Sequence, residues 1–217
     1  MRGYSIEKMA MLHTEMEHMF VESNDITSRD AYNGSAVGCI ISGSCRLKQD
    51  GALRVIPERM LYVIDNRTES VENVTNSEGS FEQVLFMVER GPSPHTTSSG
   101  LRERERFNNA IMQGIVSNLT IEELATMCCY SVSTFKRRFS QHYNESPHKW
   151  LLRCRLMLAA KIMSKTNISI TELSSLCGFV NVSHFIATFR RHFGITPASL
   201  KSYSHEQEGI DCDEHHY

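Results

Sequence analysis

The feature that most limits what this chain can fold into is an internal repeat. Residues 119–147 read LTIEELATMCCYSVSTFKRRFSQHYNESP, and residues 168–197 read ISITELSSLCGFVNVSHFIATFRRHFGITP. With one extra residue allowed in the second turn, the copies register. Ile121 matches Ile170, Glu123 matches Glu172, Leu124 matches Leu173 and Cys128 matches Cys177. Beyond the turn, Ser133 matches Ser183, Phe135 matches Phe185, Phe139 matches Phe189, His142 matches His192 and Pro147 matches Pro197. Each copy has the apolar spacing of two short amphipathic helices around a tight turn. Two helix-turn-helix units joined by one long helix form a layout suited to reading DNA.

Charge is distributed to match. The net charge of −2 conceals a division: residues 101–204 hold 14 basic and 6 acidic residues, residues 1–100 hold 9 and 14, and residues 205–217 hold none and 5. The positive excess therefore coincides with the repeat, where a phosphate-binding surface needs it. No run of residues approaches the roughly 20 apolar positions of a membrane span. The acidic start lacks the apolar core of an export signal. Seven cysteines without a spaced framework fit a reducing cytoplasm.

Before the repeat, Ile6 to Phe20 suits helix by the spacing of Met9, Leu12, Met16 and Met19, while Glu15 to Val21 equally suits a strand. From Ala36 onward, AVGCIIS, CRLK, ALRVI, MLYVID and QVLFMVE are short apolar or alternating runs separated by turn signals, the pattern of a small antiparallel β-domain. Gln49-Asp50-Gly51 has hairpin spacing. His13 and His18 do not make a metal set with these strands, and Cys39 and Cys45 read as packing residues. Neither a catalytic grouping nor a cofactor or metal site is expected. Gly91 to Gly100 reads as an exposed linker. The acidic tail from residue 204 reads as disordered, with Asp211, Cys212, His215 and His216 at most a loose metal trap.

Within the repeat, Thr120 and Glu123 form a capping box, and Cys128 and Cys177 fall on buried faces. Ser131 caps the first candidate recognition helix. Its outward residues by spacing are Ser133, Thr134, Arg137 and Gln141, flanked by Lys136 and Arg138. Arginine donates two parallel hydrogen bonds to guanine, and lysine or hydroxyls reach bases or phosphate. On the second recognition helix Ser183, His184, Ala187 and Thr188 are placed on the groove side, with Arg190 and Arg191 beyond. His184 suits either a DNA contact or an ordinary surface position. In the long joining helix, Lys149, Arg153 and Lys161 suit phosphate contact or plain surface.

Residues 104–203 resemble the AraC/XylS-type transcription regulators. The second unit carries the more specific likeness, in Ile170, Glu172, Leu173, Cys177, Gly178 and Phe179, then Ser183, Phe185, Phe189, Arg190, Arg191, and Phe193 through Pro197. Leu124, Ala125, Ser131, Phe135 to Phe139, Ser146, Pro147, Arg155 and Ala159 also fit. The resemblance implies a domain of about seven helices whose two units enter adjacent major-groove segments of double-stranded DNA. It places base-reading positions at Ser133, Lys136 and Arg137, and at Val182, Ser183, His184 and Ala187. It further implies transcriptional activation and contact with RNA polymerase. Ser174 and Ala187 depart from the family pattern, and with Ile186 they leave the second helix little hydrogen-bonding reach.

The expectation is thus an α+β chain: a β-rich regulatory or interaction domain over 1–89, similar to cupin-like sensor domains in its short strands; a linker over 90–103; the DNA-binding domain over 104–203; and a tail over 204–217. A small-molecule effector, a protein co-regulator and a second copy of the chain all remain open as partners of the first domain. A DNA-repair enzyme fused to the helical domain is the competing class, and it would require a reactive N-terminal cysteine cluster.

Overall fold

The computed structural model describes residues 20–22, 35–88 and 98–210. Residues 6–19 of the stretch that suits either helix or strand, most of the linker and the last seven residues of the tail lie outside these. Two compact units divide the chain, the first ending at Arg155 and the second beginning at Leu156.

The first unit opens with seven antiparallel strands: β1 (Phe20–Glu22), β2 (Ser35–Ser42), β3 (Ser44–Gln49), β4 (Ala52–Ile56), β5 (Leu61–Ile64), β6 (Thr68–Val74) and β7 (Glu82–Val88). They form a four-stranded sheet in the order β1-β7-β2-β5 and a three-stranded sheet in the order β4-β3-β6. Ala36, Ile40, Ile64 and Leu85 from the first sheet meet Cys45, Leu47, Ile56 and Val71 from the second in one buried cluster. The hairpin at Asp50-Gly51 has positive φ at both residues (49° and 75°), the geometry that matches strand twist in a two-residue turn. Gly38 lies opposite Tyr62 on β5. A Cβ there would sit 2.3 Å from the tyrosine ring, and the phenol beneath it donates to the buried Gln83 side chain.

Strand β6 has no counterpart among the sequence runs. Its sequence TESVENV buries only Thr68 and Val71, on an irregular register against Lys48 and Gln49, so neither an apolar run nor a clean alternation marks it. The turn before it is built on Asp65, whose fully buried carboxylate accepts from the Arg67 guanidinium (2.6 Å), the Arg67 amide (2.9 Å) and Gln49 (3.2 Å).

Helix α1 (Ser98–Val116) packs on β2 and β5, and Asn109 donates to Asn66 in the β5–β6 turn. It starts at Ser98 rather than Leu101, so residues 98–103, expected in the linker, are helical. Serine is tolerated in a first turn, and packing of the buried Gly100 outweighs its weak helix propensity. Helices α2 (Ile121–Met127) and α3 (Val132–Tyr143) are the first repeat, and α4 (Pro147–Lys165) follows with Pro147 in its first turn. Arg155 of α4 closes the open end of α1: its guanidinium donates to the carbonyls of Gly114 (2.5 Å), Ser117 (2.7 Å) and Ile115 (3.3 Å).

In the second unit come α5 (Ile170–Leu176), α6 (Val182–Phe193) and α7 (Pro197–Ile210). Helix α7 extends through residues 204–210, which were expected to be disordered. Thr196 caps its start by accepting from the Ser199 amide (3.2 Å), and the Glu and Gln that follow favour helix. Capping boxes open both repeats, Thr120 with Glu123 and Ser169 with Glu172. Ser174, the polar departure at a packed position, is fully buried and donates to the Thr171 carbonyl (2.8 Å). Among the described residues no helix is long and apolar enough to cross a membrane.

The two turns share one hydrogen-bond pattern. Tyr130 N–H donates to the Ala125 carbonyl and Cys129 N–H to that of Thr126; Phe179 and Gly178 do the same to Ser174 and Ser175. This double bond requires a left-handed residue after the helix, filled by Gly178 (φ 78°) in one copy and by Cys129 (φ 58°) in the other. The extra residue of the second turn is Val180, which projects into solvent at 94% exposure and so leaves the helices on either side in register.

Two stability measurements follow from this geometry. Cys129→Gly removes a left-handed strain of about 1–2 kcal/mol against a chain-entropy loss of about 0.5–1, so urea unfolding should show a net gain of about 0.5–1 kcal/mol. Arg155→Ala strands three helix-end carbonyls and should cost about 2–3 kcal/mol. Lysine at that position should recover little, because it lacks the forked donor geometry.

Candidate nucleic-acid interface

Each candidate reading helix is fixed first by its cap and then by aromatic packing. On α3 the Ser131 hydroxyl accepts from the Thr134 amide (3.2 Å) and donates to the Thr134 hydroxyl (2.9 Å). Phe135 and Phe139 are fully buried, their rings 5.8 Å apart, and both pack on Phe107 of α1. This anchoring turns Ser133, Lys136, Arg137, Ser140 and Gln141 into solvent. They stand at the i, i+3, i+4, i+7, i+8 spacing of one helix face.

Helix α6 repeats the construction. The Asn181 side chain accepts from the His184 amide (3.1 Å), and Phe179, Phe185, Phe189 and Phe193 form a continuous edge-to-face ladder with centroids 4.6–5.6 Å apart. The outward stripe is Ser183, Ile186, Ala187, Arg190 and Arg191. With Thr196 at the start of α7 these residues line a shallow open concavity. Thr196 was not among the residues the sequence pointed to, because it lies beyond the helix and enters the face only through the turn at Gly194.

Several predicted contact residues prove to be placed otherwise. Arg138 is not on the outward stripe. Its guanidinium pairs with Glu103 of α1 (2.5 Å), receives support from the Tyr130 oxygen (2.8 Å) and lies 4.7 Å above the Tyr130 ring. The Tyr130 hydroxyl itself donates to Glu103. Burial, and then that hydrogen bond, push the Tyr130 hydroxyl up to about 12, so it stays a donor at neutral pH. Arg138 thus joins α3 to α1, and the Arg/Glu start of α1, expected to face solvent, contributes Glu103 to this cluster. Thr188 is also corrected: at 3% exposure it belongs to the core between Phe185 and Phe189. Val182 and Thr134 are half-buried, and Ser131 and Thr134 are occupied in the cap. His184 is exposed, with its ring 5.9 Å from Phe179.

On α4, Lys149 and Arg153 both pair with Glu145 (3.2 Å each), and Lys161 is buried. None of the three offers an exposed, unneutralised charge.

Four of the cysteines are packing groups. Cys39, Cys45, Cys128 and Cys177 are buried, and burial pushes the thiols of Cys39 and Cys128 up to about 12 and that of Cys45 up to about 11. A thiol held that high is a poor nucleophile, which counts against alkyl transfer to Cys39 or Cys45. Among the described residues, no three His, Cys, Asp or Glu side chains converge as a metal set.

The helical region is similar to known proteins. Residues 124–202 match the helix-turn-helix domain family. The transcriptional regulator GbdR of Pseudomonas aeruginosa is 28% identical over 109 residues, covering 50% of this chain and 30% of GbdR. The transcriptional activator RhaS of Enterobacter sp. is 27% identical over 141 residues, covering 63% of this chain and 49% of RhaS. A crystal structure of a transcriptional regulator from Chromobacterium violaceum, described as containing an AraC-type DNA-binding domain, is 26% identical, covers 50% of this chain and 96% of that one, and superposes with a TM-score of 0.43. The chain spans half or less of the length of these two curated relatives.

The two kinds of cation on α3 should separate experimentally. Lys136→Ala should lower the slope of log affinity against log salt by about one while leaving stability within about 0.5 kcal/mol. Arg138→Ala should do the reverse, costing about 1–3 kcal/mol in urea unfolding by removing the cation that pairs with Glu103, with the salt slope unchanged.

Proposed function

We propose that this chain, whose residues 124–202 match the helix-turn-helix domain family, is an AraC/XylS-type, sequence-specific DNA-binding transcription regulator of the bacterial cytoplasm. The observation that carries the reading is the pair of capped, aromatic-anchored helices. Each presents a solvent-facing stripe with two exposed cations, Lys136 and Arg137 on α3 and Arg190 and Arg191 on α6, that form no ion pair among the described residues. Helices of this width fit the major groove of B-DNA, and the positive excess of residues 101–204 supplies attraction to phosphate.

In this proposal the two units read adjacent groove segments, α3 through Ser133, Lys136 and Arg137, and α6 through Ser183, Ala187 and the arginines beyond. The action is activation through contact with RNA polymerase, by analogy with the relative named as an activator. A protein co-regulator acting on the β-region is the second reading. It is favoured by strand β4, at the edge of its sheet among the described residues, which exposes Leu53 and Val55 at 64% and 62%, a template for strand pairing.

The test is titration of the full chain against a promoter-derived duplex and a scrambled one across a salt series. Affinity should fall steeply with salt and differ between the duplexes; indifference to both would sink the proposal. Arg137→Ala should weaken specific binding by about 1–3 kcal/mol and relax base preference at its contact position. An unchanged preference would remove Arg137 from base reading.

A further inference from the structure

The stripes of α3 and α6 occupy equivalent turns but place their charge differently. In chain order α3 presents Ser133, then Lys136 and Arg137, then Ser140 and Gln141. Helix α6 presents Ser183, then Ile186 and Ala187, then Arg190 and Arg191. The cations are thus displaced about one turn, roughly 5.4 Å, toward the C-terminus of α6. Where α3 carries its two cations, α6 carries two exposed aliphatic side chains.

The centre of the α6 stripe cannot donate or accept a hydrogen bond. Ile186 keeps 36% of its surface exposed, an unusual position for a large aliphatic residue, and with Ala187 it lies in the shallow concavity bounded by Ser183, Arg190, Arg191 and Thr196. An apolar floor bordered by two arginines and two hydroxyls complements a ligand whose centre is apolar and whose flanks are anionic. Double-stranded DNA offers one such feature in the major groove, the C5 methyl of thymine between two phosphate strands. Cytosine and the purines carry no methyl there, and their hydrogen-bonding groups would be left unpaired and desolvated by Ile186 and Ala187.

We propose that the second unit recognises its half-site by thymine methyl groups seated against Ile186 and Ala187, with Arg190 and Arg191 holding the neighbouring phosphates. The two units then use different chemistry on one duplex: α3 reads hydrogen-bond acceptors with charge, and α6 reads methyl groups by contact. This rests on the DNA-reading proposal above and specifies what its second helix reads.

The experiment selects duplexes from a random pool with the full chain and then replaces the thymines of the selected duplex one at a time with deoxyuridine, which deletes only the methyl. A subset of thymines should each lose about fourfold in affinity, the worth of one buried carbon. Ile186→Ser should bind the thymine and deoxyuridine duplexes equally, whereas Arg137→Ala should preserve the difference. Ala187→Ser provides a second variant at an exposed site, and circular dichroism verifies that both fold. Specific binding in which every thymine can be replaced without loss overturns the inference and leaves DNA reading standing. So does a deoxyuridine penalty undiminished in both Ile186→Ser and Ala187→Ser. Failure to select any sequence above background overturns DNA reading and the inference with it.

Discussion

Two phenylalanines four residues apart govern what each candidate reading helix offers. A helix turns through 3.6 residues, so burying positions i and i+4 against a common wall leaves one opposite stripe in solvent. Phe135 and Phe139 do this on α3, and Phe185 and Phe189 on α6, all four fully buried. Rings of this size contribute on the order of 2–3 kcal/mol each through burial, more than any exposed polar contact on the same helix. The rotation of α3 and α6 is therefore set by their cores, and the outward residues are left to vary.

Rotation alone would not hold α3 in place, because a twelve-residue helix is marginal by itself. Its position comes from α1. Phe107 packs on both α3 phenylalanines, and Glu103 grips Arg138 from the side while Tyr130 fills the angle between them. Arg155 in turn terminates α1 by taking up three of its last carbonyls. Since α1 also lies on β2 and β5, the first reading helix shares a compact unit with the β-region. Helix α1 in turn holds Arg138 of α3 through Glu103. Contacts thus run unbroken from the β-region through α1 to α3, although the sequence suggests a boundary near residue 104.

Features of the helical half whose causes lie close together along the chain could be read from the sequence. Capping boxes span three residues, the phenylalanine pairs span four, and the left-handed turn position shows as a glycine in one copy. What escaped were features completed by distant residues. Arg138 is separated from Glu103 by 35 positions, so on periodicity alone it looks like one more cation in a basic run. Thr188 looks polar and outward until the ladder from Phe179 to Phe193 closes around it. Strand β6 buries two residues on an irregular register and lacks the apolar signature by which its neighbours are recognised. The exposed face of the second helix was visible as poor in polar reach, but the concavity around Ile186 required Thr196, which arrives through a turn.

The division between core and stripe explains how two copies of one scaffold can differ so much on their outer faces. Cap, turn and aromatic pair recur in both units with the same backbone bonds, and altering any of them costs about 1 kcal/mol or more. Exchanging Lys136-Arg137 for Ile186-Ala187 touches none of these, and exposed helix positions of this kind change stability by about 0.5 kcal/mol or less. The copies therefore remain alike where folding is decided and are free to diverge where a ligand would be met. Cys129 marks the limit of that freedom. It lies in the turn rather than on the stripe, its left-handed φ of 58° is strained for a side chain, and the bonds around it match those of Gly178 in the other copy. The turn geometry persists in spite of the residue, which shows that it is dictated by the packing of the helices on either side.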